Sequence, residues 1–154
     1  MHLEHSRSYS VSVEDAYDRT LTAPLEGIFG SRYLIVPAIS RVDPTGVWGD
    51  GGVGQRRTLH LSDRGTLRET LTELDRPHAF GYELDEVRGA MRLLTTAVRG
   101  RWSFAPVGTS TRITWSWDLE PAHAASRLVM PLFRTSWLGA ARRTFTRLEP
   151  HLLD

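Results

Sequence analysis

The chain contains no cysteine, no lysine and no asparagine. Without cysteine it can form neither a disulfide nor a thiolate nucleophile, and without lysine it can form no Schiff base with a carbonyl substrate. All 19 basic residues are therefore arginine. Because lysine and asparagine share A/T-rich codons, their joint absence indicates a bacterial genome of high G+C content rather than a functional demand.

The chain also lacks an excess of charge and a long apolar run. Its 19 arginines face 18 acidic residues, for a formal net charge of +1, so the balance does not favour a nucleic-acid partner. The longest apolar stretch, at 33–39, is far shorter than the ~20 residues of a membrane span, and the polar start leads into no signal-peptide core. We therefore expect one cytoplasmic domain over 1–154 without stable membrane insertion, as a monomer or homodimer.

Alternation of apolar and polar residues dominates the middle of the chain and predicts a meander of antiparallel strands. These strands are expected near 34–42, 54–62, 66–74, 79–87, 91–104 and 110–119. A further strand is predicted at 5–12. Two short helices should follow it, at 13–21 and 24–32, where acidic residues and a proline suit the first turns.

After Pro121 the apolar residues recur at three- and four-residue steps, which predicts one long amphipathic helix over 122–149. Pro131 lies inside this segment and lacks a backbone donor, so we expect a bend there. The residues predicted to form the buried stripe are Leu128, Leu132, Phe145 and Leu148. Those expected to reach water are Arg142, Arg143 and Arg147.

Four motifs occur in a characteristic order along the chain. They are GDGGVGQRRTLHLSDRGT at 49–66, ETLTELDRPHAFGYEL at 69–84, RGRWSF at 99–104 and GTSTRITWSWDLEP at 108–121. Together with the C-terminal helix, they resemble the bacterial polyketide cyclase/dehydrase and lipid-transport-like family of the START-related, birch-pollen-allergen-like (SRPBCC) superfamily.

This resemblance implies an α+β helix-grip fold. In that fold a curved antiparallel sheet of about seven strands wraps a long C-terminal helix, two short helices follow the first strand, and a cavity lies between sheet and helix. Such domains bind apolar small molecules, and some have cyclase, dehydratase or hydrolase activity. The family has no shared catalytic motif, so the resemblance assigns no reaction.

Large aromatic side chains share strand faces. Trp115 and Trp117 alternate with Ser116 and Asp118, and we expect both indoles on the concave face, since the reverse register would leave them in solvent. Phe80 and Tyr82 share one face of their strand, and Trp102 lies with Phe104 on the next. These rings either border a ligand cavity or pack as core. The candidate ligand-binding residues are Phe80, Tyr82, Trp102, Trp115 and Trp117.

Glu69 is a sixth candidate, provided that its side of the strand faces inward. It would then be a carboxylate among apolar residues, with a raised pKa suited to acid catalysis or to pairing with an arginine such as Arg92. The preferred register instead places Thr70, Thr72 and Leu74 inside and both Glu69 and Glu73 in water. His60 alternates with two leucines and is expected to face outward.

The other motifs do not indicate a metal or phosphate site. The glycine-rich run at 49–57 precedes a strand rather than a helix, so it favours a loop at the cavity mouth over a dinucleotide site. The histidines lack metal-binding spacing, and we expect no cofactor.

The leading hypothesis is binding or transport of a lipid, polyketide or aromatic metabolite. A cyclase or dehydratase using Glu69, His60 or Tyr82 is one alternative, and a protein-interaction module is another.

Overall fold

The first strand leads directly into two short helices. In the computed structural model, which describes residues 1–153, β1 spans His2–Tyr9, α1 spans Val13–Leu21 and α2 spans Leu25–Ile28. Ser12 is the N-cap of α1, where its side chain accepts a hydrogen bond from the backbone N–H of Asp15. Because this cap belongs to the helix, the first strand lies earlier than the predicted 5–12.

Seven strands form one antiparallel sheet with the order β1-β7-β6-β5-β4-β3-β2. The remaining strands are β2 Ile39–Asp43, β3 Arg56–Leu61, β4 Thr66–Asp75, β5 Ala79–Arg88, β6 Thr95–Val107 and β7 Ser110–Pro121. A short 3₁₀ helix, Ala90–Leu93, occupies the start of the segment predicted as a strand from residue 91. The predicted α+β helix-grip fold is confirmed by this sheet together with the C-terminal helix.

The C-terminal helix begins later than predicted. A second 3₁₀ helix, Ala124–Leu128, precedes α3, which spans Met130–Leu153. Pro131 therefore lies in the first turn of α3, where its missing N–H would have no intrahelical partner in any case. The prediction of a bend at Pro131 inside a longer helix is wrong.

The buried face of α3 also differs from the predicted stripe. Leu128 is 84% exposed and Leu132 is 49% exposed, so the expectation that both are buried is wrong. Phe145 and Leu148 are fully buried, as predicted. The observed stripe consists of Phe133, Trp137, Ala141, Phe145, Leu148 and Leu152.

Aromatic contacts attach α3 to the β1–β7–β6 half of the sheet. The Phe145 ring lies 5.7 Å from that of Trp102. The Tyr9 hydroxyl donates a 2.7 Å hydrogen bond to the Phe145 carbonyl oxygen. Residues of α1, α2 and the segment that follows them line one cavity together with residues of β3, β4 and β5. Within residues 1–153, no helix is both long and apolar enough to cross a membrane.

Candidate functional site

Strand alternation places the large rings on the concave face of the sheet. Trp115 and Trp117 are buried, whereas Ser116 is half-buried and Asp118 is exposed on the other face, so the predicted register of β7 is confirmed. Trp102 on β6 lies directly opposite Trp115 in the strand pairing, with ring centroids 5.4 Å apart. Neighbouring strands thus present one continuous aromatic surface.

A cavity of about 90 Å³ lies between this surface and the helices. All six candidate residues line it, namely Glu69, Phe80, Tyr82, Trp102, Trp115 and Trp117. From α3 it receives Trp137 and Ala140, and from the α2 region Phe29. The Trp137 ring stacks on that of Trp115, with centroids 4.5 Å apart. The tertiary structure therefore brings together every residue that the sequence analysis proposed for ligand binding.

Tyr82 holds two of the indoles in place. Its hydroxyl oxygen accepts hydrogen bonds from Nε1 of Trp115 at 2.8 Å and from Nε1 of Trp117 at 2.9 Å. Burial raises the pKa of Tyr82 above its ordinary value, so the hydroxyl keeps its proton at neutral pH. Gly100 lies opposite Tyr82 on β6, and a β-carbon there would overlap the tyrosine ring. Glycine at this position is therefore what lets the ring lie against the backbone.

Glu69 faces inward and forms a buried ion pair. It lies opposite Arg57 in the pairing of β3 with β4, and Arg57 Nε donates to Glu69 Oε1 at 2.5 Å. Burial raises the pKa of the Glu69 carboxyl, and the positive charge of Arg57 opposes that rise. The preferred outward register is therefore wrong. The suggested partner is wrong as well, because Arg92 is exposed and Arg57 forms the pair.

An irregularity in β4 explains why Glu69 faces inward whereas Glu73 faces the surface. The register with β5 shifts between Leu71 and Glu73, as it does at a β-bulge. Leu71 faces the core, whereas Glu73 pairs with Arg101 at the surface, with Glu73 Oε1 and Arg101 Nε 2.9 Å apart. Simple alternation along the strand cannot indicate such a shift.

Arg57 is a site residue that was not predicted from the sequence, although a signal was present. Arg57 shares its strand face with Leu59 and Leu61, both of which are buried. Its guanidinium lies over the ring of Trp48, 3.9 Å from the centroid. Trp48 and Arg57 line both the cavity and an outer groove of about 290 Å³, so they stand between the two spaces. Trp48 precedes the glycine-rich loop and carried no periodic signal.

Two cavity-lining residues carry polar atoms with no partner. Among the side chains of residues 1–153, the buried polar atoms that lack a hydrogen bond are Trp137 Nε1 and Thr20 Oγ1. Both residues line the cavity. Buried polar atoms are rarely left unpaired in folded proteins, so these two are unusual.

His60 lies outside the cavity, as expected from its strand face. Its Nε2 atom is 3.0 Å from Asp43 Oδ2, at the outer side of the sheet. His60 therefore takes no part in the cavity chemistry.

Across the described part of the chain, no three histidine, aspartate or glutamate side chains cluster in a way that could hold a metal ion.

Comparisons with solved structures show the same fold. Ginseng major latex-like protein 151 from Panax ginseng matches with a TM-score of 0.72 at 16% identity, over 100% of this chain and 98% of that one. Norcoclaurine synthase from Thalictrum flavum, in complex with dopamine and hydroxybenzaldehyde, matches with a TM-score of 0.68 at 18% identity, over 96% and 85%. A protein from Nitrosospira multiformis matches with a TM-score of 0.66 at 18% identity, over 100% and 97%. At such identities the likeness concerns the fold alone.

Sequence comparison identifies the family. No curated protein matches the chain. Residues 1–152, however, match the profile of the family described as polyketide cyclase / dehydrase and lipid transport. The match agrees with the curved seven-stranded sheet, the long C-terminal helix and the order of the four motifs. The chain therefore belongs to the polyketide cyclase/dehydrase and lipid transport family.

Proposed function

We propose that the protein reversibly binds a hydrophobic small molecule in the cavity between the sheet and the helices. The observation that carries this proposal is the wall itself, where aromatic rings from β5, β6, β7 and α3 surround a space lined mainly by apolar side chains. Ligand sites typically combine such a wall with a few placed polar groups. Here those groups are Tyr82 and the Arg57–Glu69 pair.

The size of the cavity favours a compact ligand. Its volume of about 90 Å³ is well below the ~300–1,000 Å³ of pockets that hold drug-sized molecules. Apolar cavities of ~150 Å³ bind benzene. A single-ring molecule therefore requires a small adjustment of the wall, whereas a long-chain lipid requires several side chains to move. Among lipids, polyketides and aromatic metabolites, this favours an aromatic metabolite.

A cavity-filling substitution tests the proposal. Ala140 lines the cavity from α3, so Ala140→Phe should occupy the space without removing a core side chain. Ethylbenzene should raise the melting temperature of the wild type, because a ligand that binds only the folded state stabilises it. It should leave the melting temperature of Ala140→Phe unchanged.

Leu132→Phe is the matched control, since it adds a ring to an exposed position of the same helix. It should respond to ethylbenzene as the wild type does. Native mass spectrometry of the protein purified from its host would show whether a small molecule travels with it. If neither ethylbenzene nor the oxygenated probe acetophenone binds the wild type, the proposed function is contradicted.

A second candidate function is catalysis by the same site. Glu69 is a buried carboxyl on the cavity wall with a raised pKa, as acid–base catalysis requires. A protein of the same fold, norcoclaurine synthase, is an enzyme. In D₂O, a catalytic Glu69 would accelerate exchange of the acetophenone methyl protons, and Glu69→Gln would abolish the acceleration. Equal exchange with and without the wild-type protein would exclude this form of catalysis.

A further inference from the structure

Two residues of the cavity wall carry a buried polar atom without a partner, and these atoms indicate the chemistry of the ligand. Trp137 is only 1% exposed, and its Nε1–H finds no acceptor among residues 1–153. An indole N–H can donate a hydrogen bond but cannot accept one. Its missing partner is therefore a group with a lone pair, and a hydrocarbon ligand cannot supply one.

The Tyr82 hydroxyl is a second hydrogen-bond donor in the aromatic cluster around Trp137. Its ring stacks on Trp115 and lies 6.1 Å from that of Trp117, and both of these indoles donate to Tyr82. A tyrosine oxygen that accepts two hydrogen bonds has both lone pairs engaged, which leaves its own hydrogen to be donated. The aromatic wall thus offers donors but has its acceptor already in use.

The electrostatics of the cavity favour a neutral ligand. Its two lining charges, Arg57 and Glu69, bind each other and leave no net charge on the wall. An ionic ligand would have to give up its hydration without a free counter-charge. A neutral carbonyl or ether oxygen meets the donors without that penalty.

We propose that the cavity, after the small adjustment of its wall that a single-ring ligand requires, binds a neutral, single-ring aromatic molecule whose carbonyl or ether oxygen accepts a hydrogen bond from Trp137 Nε1–H. This inference rests on the proposed function and specifies its ligand class. The rings of Trp102, Trp115 and Trp117 face the aromatic part of the ligand. Thr20, whose buried hydroxyl also lacks a partner, provides a further polar contact for a second substituent.

Acetophenone and ethylbenzene test the proposal because they share the same carbon skeleton, to which acetophenone adds the carbonyl oxygen. Titration calorimetry should show that acetophenone binds about five- to tenfold more tightly to the wild type, the range expected for one hydrogen bond to a buried donor. In Trp137→Phe, which keeps an aromatic ring but lacks the indole donor, the preference for acetophenone should fall to about twofold or less, and any remainder comes from the Tyr82 hydroxyl.

A second measurement uses the wild-type protein, so it does not depend on whether a variant folds. In ¹⁵N-labelled wild-type protein, acetophenone should move the Trp137 Nε1–H resonance downfield, and ethylbenzene should not. The indole resonances of Trp115 and Trp117, which already have acceptors, serve as internal controls. If the two probes bind equally and the Trp137 resonance responds alike to both, the inference is overturned while the proposed function stands. If neither probe binds, both fail.

Discussion

Replacing Arg57 by methionine would test how the cavity wall holds a charge. The side chains of Arg57 and Glu69 are only 12% and 6% exposed, so each charge depends on the other more than on water. Removing one member of a buried ion pair typically costs ~3–5 kcal/mol, because the remaining charge has no partner. We expect Arg57→Met to lower the free energy of unfolding by that amount at neutral pH. For a chain of this size, the melting temperature would fall by roughly 6–20 °C.

The destabilisation caused by Arg57→Met should decrease as the pH falls. In the folded protein, burial holds the pKa of Glu69 above its ordinary value of 4.5, and Arg57 opposes that rise. A carboxyl with a raised folded pKa contributes stability that is fully present below the unfolded pKa. That stability is lost as the pH rises through the folded pKa. Without Arg57 the shift grows, so the destabilisation should shrink as the pH falls from about 7 towards 4.5.

Urea unfolding followed by circular dichroism measures both effects. The double variant Arg57→Met/Glu69→Leu should recover most of the loss, since it removes both buried charges at once. Arg101→Met is the control, because the Arg101–Glu73 pair has side chains 52% and 39% exposed and should contribute at most ~1 kcal/mol. A cost below ~1 kcal/mol for Arg57→Met, or a cost equal at every pH, would refute the reasoning.

Three further predictions concern the packing around the cavity. Gly100→Ala should push the Tyr82 ring away from the indoles, at ~1–3 kcal/mol, and shift two indole N–H resonances in an NMR spectrum. Thr20→Val should raise the free energy of unfolding by ~1–3 kcal/mol in urea, because the buried hydroxyl has no partner; a loss would show that the hydroxyl is bonded. Phe145→Ala should cost ~3–5 kcal/mol and Arg142→Ala under ~0.5 kcal/mol in thermal melts, and similar costs would contradict the assigned helix face.

The faces of β5, β6 and β7 could be predicted from the sequence alone. On each strand the large rings occupy alternate positions, so only one face can be buried without leaving aromatic surface in water. This alternation predicts that Tyr82, Trp102 and Trp115 face inward, and each of them lines the cavity. The hydrogen bonds that join Tyr82 to two indoles could not be predicted, since they depend on how strands distant in sequence curve together.

Glu69 shows where alternation stops being informative. A glutamate beside leucines fits either face of a strand, because its burial depends on whether a positive charge lies opposite. That charge is Arg57, and only the pairing of β3 with β4 places it there. The bulge that turns Glu73 outward is a further consequence of the pairing of β4 with β5. Both charged residues are visible in the sequence, but their interaction is specified only by the pairing of the strands.

The C-terminal helix separates what the sequence by itself determined from what only tertiary structure decided. Three- and four-residue spacing of apolar residues determined that a helix forms, because its period matches the helical turn. The spacing allowed more than one buried face, and it placed Leu128 and Leu132 on the wrong one. Phe133 and Trp137 are buried instead because they meet the indoles of β7. A local pattern specifies the direction in which a side chain points from the axis of its helix. Whether that side chain is buried also depends on the surface that another segment places against it.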